Sequence, residues 1–269
     1  MINSKATKAY WDATYERTTI ASALNPRDRR LKNHSALLLH KLLERNLSDL
    51  RGGDLLEIGC GASCLLPYFA RELGLNVVGI DYSERGASKA REILAKEQVV
   101  GEVFCADVFA PPPNCIGRFD VVVSFGVVEH FPQTASCISA FAKFLKPGGR
   151  ILTSVPNMSG LVGRLQRFLD PTVYKKHVPL DAVSLRDAHE RAGFAVASSD
   201  YFQSCNFFVV NINEVPRRWP EWYWKSGMLQ FLHYVTGMVW ITESIIGPLK
   251  PGPFMSSYVV CIADLRLPT

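Results

Sequence analysis

Along the first two thirds of the chain, short apolar runs alternate with longer stretches in which apolar residues recur every third or fourth position. The runs at 55–58, 77–81, 103–106, 119–124 and 150–154 are too short for helices and lack a polar face. They read as strands buried on both sides, the signature of a parallel sheet. The stretches at 63–73, 84–97 and 134–145 carry helical spacing. Strands alternating with helices require right-handed crossovers, so the pattern predicts an α/β fold with helices on both faces of a mostly parallel sheet. Upstream, Leu31, Leu38, Leu39, Leu42, Leu43 and Leu50 fall on one helical face at 31–50, with His34 and His40 on the polar side, where solvent is their expected neighbour.

The most informative run is 54–63, DLLEIGCGAS. Gly59 and Gly61 let the backbone turn sharply as it leaves the strand, and a helix follows, so main-chain amides face a nucleotide-sized ligand. The spacing is Glu-x-Gly-x-Gly, with Cys64 where a dinucleotide fingerprint has its third glycine. Glu57 beside the turn would repel a pyrophosphate and suits an adenosine bearing a cationic tail. Asp81 closes the next strand, where a carboxylate can accept both ribose hydroxyls. With LLEIGCGAS, VVGIDYS, FCADVF, FDVVVSFGVVEHF and LKPGGRILTSVPN in this order, the chain resembles the class I S-adenosylmethionine-dependent methyltransferases.

That resemblance implies a Rossmann-like sheet of seven strands, mostly parallel, with the last strand antiparallel. Its sixth and seventh strands are expected at 194–202 and 257–264. It also implies S-adenosyl-L-methionine as cofactor and a methyl acceptor as substrate. Gly59, Cys60 and Gly61 would approach the methionine part, Glu57 would shape the loop, Asp81 and Tyr82 would hold the ribose, and Asp107 and Val108 would contact the adenine. Ser124 and Phe125 leave the fourth strand at the crevice, and Gly126 allows close backbone approach there. WDATYER near the start resembles the segment that folds over the cofactor in many of these enzymes, with Tyr10 and Trp11 covering the sulfonium by cation–π attraction.

His130, next to Glu129 just past the fourth strand, is the candidate general base for an oxygen or nitrogen acceptor; capping the next segment is the competing role for the pair. Some quinone-biosynthesis O-methyltransferases that this region resembles hold a divalent metal with Glu-x-x-Glu-His. Gly126 stands here in place of the first glutamate, so no metal is expected. His177 in KKHVPLD resembles the histidine that precedes the substrate-side helix in many small-molecule methyltransferases; it is expected to hydrogen-bond its own loop, with facing the substrate as the alternative.

Composition narrows the partners. The chain has 269 residues, 48% hydrophobic and 20% charged, enough for one full core with an appended cap. A net charge of +5 without a basic, aromatic-lined stripe argues against nucleic acid. Seven scattered cysteines, without zinc or Cys-x-x-Cys spacing, and an N-terminus with no apolar core point to reduced thiols in the cytoplasm.

Three parts are expected: an N-terminal helical segment at 1–50 covering the cofactor, a core at 51–202 and 253–269, and an insertion at 203–252. The insertion holds four of the five tryptophans, Trp219, Trp222, Trp224 and Trp240. It reads as a lid over an apolar substrate, an oligomer interface, or a peripheral membrane contact through 217–246. Its character favours a small acceptor that is apolar, aromatic or lipid-linked. Two other classes use the same strand and turn: a non-catalytic adenosylmethionine-binding module and a dinucleotide-dependent oxidoreductase.

Overall fold

The computed structural model describes residues 4–20 and 22–267. β1 (Asp54–Ile58), β2 (Asn76–Asp81), β3 (Gly101–Cys105), β4 (Phe119–Phe125), β5 (Leu145–Pro156), β6 (Phe194–Phe202) and β7 (Tyr258–Leu265) form one sheet in the order β3-β2-β1-β4-β5-β7-β6. β7 runs antiparallel to both β5 and β6, and the remaining pairings are parallel. The strand order reverses between β1 and β4, which opens a crevice at their carboxyl ends.

Strand alternation explains the two main layers. Leu56 and Ile58 of β1 and Val122 of β4 point to one face, where they pack on α5 (Thr134–Ala142) and α8 (Ala182–Arg191) through Ile138, Phe141 and Leu185. Leu55, Val121 and Val123 point to the other, against α2 (His34–Leu47), α3 (Leu65–Leu73) and α4 (Glu84–Lys96) through Leu43, Phe69 and Ala90. Most β-strand residues of these runs are therefore apolar, as a sheet covered on both sides demands. α1 (Lys8–Arg17) lies beside α4.

Several features differ from expectation. The leucine-rich segment is divided into a 3-10 turn at Leu31–Asn33, α2, and a second 3-10 turn at Ser48–Leu50. α5 stops at Ala142, short of 145, because β5 starts at Leu145 to pair with Phe119 before the chain bulges through Gly148, whose φ is +76°. His34 and His40 turn inward: His34 Nε2 lies 2.7 Å from Glu243, and His40 Nδ1 lies 2.8 Å from the Tyr68 hydroxyl.

The insertion forms α9 (Glu221–Ile246), which packs beside α6 (Leu161–Leu169) on a third cluster that includes Val162, Leu169, Phe207 and Leu232. Glu243, buried on its inner face, accepts from Ser204 Oγ at 2.5 Å and from the Leu249 amide at 3.0 Å, while Trp240 Nε1 donates to the Cys205 carbonyl. No described helix is long and apolar enough to cross a membrane.

Candidate active site

Two cavities meet at the carboxyl end of the sheet. The first, of about 420 Å³, is built by the turns that follow β1, β2, β3 and β4, and Trp11 and Tyr15 of α1 cover it. Gly59, with φ +76°, brings the chain so near Val127 that a Cβ would sit 2.5 Å from its methyl carbon. A Cβ at Gly61 would meet the Asp81 carboxylate at 2.6 Å. Both glycines are thus required by close approach, to Val127 at Gly59 and to Tyr15 and Asp81 at Gly61.

Asp81 anchors this cavity. Its Oδ2 accepts from the Gly61 amide at 2.8 Å and from the Tyr15 hydroxyl at 3.2 Å, and its Oδ1 accepts from the Ser83 amide at 2.8 Å. Burial raises its pKa, against the pull of those hydrogen bonds. Tyr82, Asp107, Val108 and Phe109 line the far end; Asp107 Oδ1 also caps its own turn by accepting from the Phe109 amide at 2.9 Å. Trp11, Gly59, Gly61, Asp81, Tyr82, Asp107, Val108, Phe125 and His130 all reach the cavity.

Other expected residues do not reach it. Glu57 is 3% exposed beneath the turn, with Ser63 Oγ 2.8 Å from each of its carboxyl oxygens. Burial pushes it up to about 8, so it carries little charge at neutral pH. The carboxylates that reach the cavity are those of Asp81 and Asp107. Cys60 packs downward beside Gly79, Ser124 is fully buried in β4, and Tyr10 lies under the Lys176 ammonium, 4.2 Å from its ring centre. Alternation explains Glu57 and Ser124: they sit on the strands, inside the last exposed turn. Tyr15, the third aromatic residue of the N-terminal segment, shares the helical face of Trp11 and reaches the cavity with it.

The second cavity, of about 600 Å³, opens on the other side of Trp11, Phe125, Gly126 and His130. Its wall is mainly apolar: Leu24, Leu39, Leu65, Phe202, Val209 and Tyr258, with Glu129 and His177 at the shared end. Val209 is its contribution from the insertion, whereas Trp219 and Trp224 are exposed and Trp240 packs inward. No residue of α9 lines the cavity.

At the junction stand Glu129, His130 and His177. His130 Nδ1 lies 2.8 Å from the Lys176 carbonyl and His177 Nδ1 lies 2.9 Å from the Val173 carbonyl. A carbonyl can only accept, so each Nδ1 bears the proton and each Nε2 keeps a free lone pair. Burial, reinforced by His177, lowers His130 to about 4, so its ring is neutral. Burial raises Glu129 to about 8, and its Oε2 has no hydrogen-bond partner. His177 does more than hold its loop: its ring centre is 4.7 Å from that of His130. One candidate ligand atom from each of the three lies within 4.8 Å of the others.

Residues 28–199, well over half of the chain, match the family described as a methyltransferase domain. The chain belongs to that family. Its family and fold are those of the class I S-adenosylmethionine-dependent methyltransferases. Similar curated proteins include a ubiquinone biosynthesis O-methyltransferase of Rhodopseudomonas palustris, 28% identical over 57% of this chain and 59% of its own length. Another, from Nitrosococcus oceani, is 34% identical over 42% of this chain and 48% of its own length. The chain thus spans about half to three fifths of these relatives. Geranyl diphosphate C-methyltransferase from Streptomyces coelicolor superposes with a TM-score of 0.59 at 13% identity, over 96% of this chain and 97% of that one. The 4+2 cyclase SpnF superposes with a TM-score of 0.63 at 14% identity, over 99% of both chains. A methyltransferase and a cyclase sharing one fold leave the chemistry to the site.

The first cavity fits S-adenosylmethionine, the family's cofactor. It offers the closely packed glycine turn, the buried Asp81 carboxylate, and an apolar slot formed by Val108 and Phe109.

Proposed function

We propose that the protein transfers a methyl group from S-adenosylmethionine to a hydroxyl oxygen of an apolar, aromatic small molecule. The observation that carries this reading is the junction of the two cavities at His130, where a neutral imidazole with a free Nε2 faces both. The mainly apolar second cavity suits a ring with an apolar substituent, in keeping with relatives named for O-methylation in ubiquinone biosynthesis.

When bound, the sulfonium supplies an activated methyl carbon. Asp81 holds the ribose hydroxyls, and Trp11 excludes water above the reacting atoms. Phe125 and Gly126 set the acceptor oxygen in line with the carbon–sulfur bond; alignment of this kind is worth about 7–11 kcal/mol. The donor would supply the methyl group and leave as its thioether, and the hydroxyl proton passes to His130 Nε2. A base so placed contributes about 10²–10⁴-fold.

The test is incubation with isotopically labelled methyl donor and a set of hydroxylated aromatic acceptors, with products identified by mass spectrometry. Label on an aromatic oxygen is expected, with turnover of His130→Ala reduced roughly 10²-fold or more and S-adenosylhomocysteine affinity nearly unchanged. Label on nitrogen or carbon, or binding of NAD in its place, would overturn the reading.

A further inference from the structure

We propose that α9 is the seam of a homodimer, in which two copies of this chain pair through the outer face of that helix. The inference is independent of the proposed function, because α9 lines neither cavity. From Ser226 to Thr242 the helix carries no Asp, Glu, Lys or Arg. A helix so apolar all round is stable in water only when it is covered all round. Its inner face, through Leu232 and Trp240, closes on Phe207, on Cys205 and on α6, beside which α7 (Pro171–Lys175) packs. Its outer face is open: Phe231 is 63% exposed, Tyr234 67% and Ile245 77%.

The open positions have the period of a helical partner. Trp224, Gly227, Phe231, Tyr234, Met238, Ile241 and Ile245 follow one another at alternating steps of three and four residues, the repeat that forms a coiled-coil seam. Gly227 and Gly237 lie in the helix interior, where glycine weakens a helix. A Cβ at either would meet no described atom within 4 Å, so packing inside one chain does not call for them. The close approach of a second backbone does.

The stripe also complements itself. Its first half is aromatic, with Trp224, Phe231 and Tyr234, and its second half is aliphatic, with Met238, Ile241 and Ile245. Antiparallel pairing about a two-fold axis lays one half on the other and opposes the helix dipoles. Parallel pairing would set Trp224 on Trp224 and Gly227 on Gly227. At about 150–250 Å² for a whole aromatic side chain, the exposed parts of these six side chains come to on the order of 700 Å² per copy. That approaches the ~800 Å² per partner of a stable interface and exceeds the ~300–600 Å² patch that monomers usually leave open. A helix lying on a lipid surface is instead lined by Lys and Arg along its length. In α9 the one such residue, Lys225, is buried and paired with Glu221, while Arg217, Arg218 and Lys250 stand beyond its ends.

The test is analytical ultracentrifugation of the full chain over a range of concentrations. Twice the mass of one chain is expected, with a Kd of about 1 μM or tighter. The double variant Phe231→Arg, Met238→Arg should weaken association at least about 100-fold by placing charge in the seam. Both positions are exposed in a single chain, and S-adenosylhomocysteine binding in calorimetry reports that the variant is folded. Wild-type protein still monomeric at about 100 μM, a dimer that the double variant leaves intact, or a monomer that sediments with phosphatidylglycerol vesicles would overturn the proposal. The last result would assign the stripe to a lipid surface, and each of them leaves the methyl-transfer reading standing.

Discussion

The two cavities differ in how the chain assembles them. The first draws nearly all its walls from consecutive strand-end turns between Ile58 and Phe131, with α1 laid across the top. The second gathers Leu24 and Leu39 from the N-terminal segment, Ser154 from β5, His177 from a loop, Val209 from the insertion and Tyr258 from β7. One is polar where it matters, with Asp81 tied by three hydrogen bonds; the other is chiefly a greasy hollow. A site repeated at every strand end can be kept by short local motifs, whereas a site made of distant segments can change its shape without disturbing them. The difference explains how one fold accommodates many acceptors.

The sharpest way to break this comparison is at Asp81. Asp81→Ala should weaken S-adenosylhomocysteine by at least about tenfold, or ~1.4 kcal/mol, in calorimetry. Unchanged affinity would remove the first cavity as the donor site. Filling the second cavity should separate the two functions. Ala36→Trp places a large ring among Leu39, Ser35 and Leu24. A fall in kcat/KM of roughly tenfold, with donor affinity held within about twofold, is expected from steric exclusion of the acceptor. Loss of both together would mean that the cavities act as one.

The smallest effect concerns the cover. Tyr15 donates to the same Asp81 oxygen that the Gly61 amide reaches. Tyr15→Phe should tighten S-adenosylhomocysteine about threefold, within the ~0.5–1.5 kcal/mol of one hydrogen bond, by freeing that oxygen for the ribose. Weaker binding would show the hydroxyl to be a ligand contact in its own right.

Much of the first cavity was legible in advance, because its chemistry is coupled to chain position: a strand end, a tight turn, a carboxylate at the next strand end. Gly59, Gly61, Asp81, Tyr82 and Asp107 follow from that rule. Glu57 and Cys60 follow the same motif yet face inward, since the pleat sends neighbouring side chains to opposite sides. The electrostatic weight placed on Glu57 was thus misplaced by one turn of the backbone. The tryptophans of the insertion suggested a lid from composition, but a helical face buries what its spacing dictates, and Trp240 turned toward the core while Trp219 stayed out.

From residue order alone came the alternation of strand and helix, the sheet's dominant direction, the glycine bend and the family resemblance, because each depends on periodicity or on backbone freedom within a few neighbours. What required the folded chain was the meeting of Glu129 and His130 with His177 and the hollow behind them. Convergence of that kind depends on where crossovers and loops return in space, and no local pattern of side chains records it.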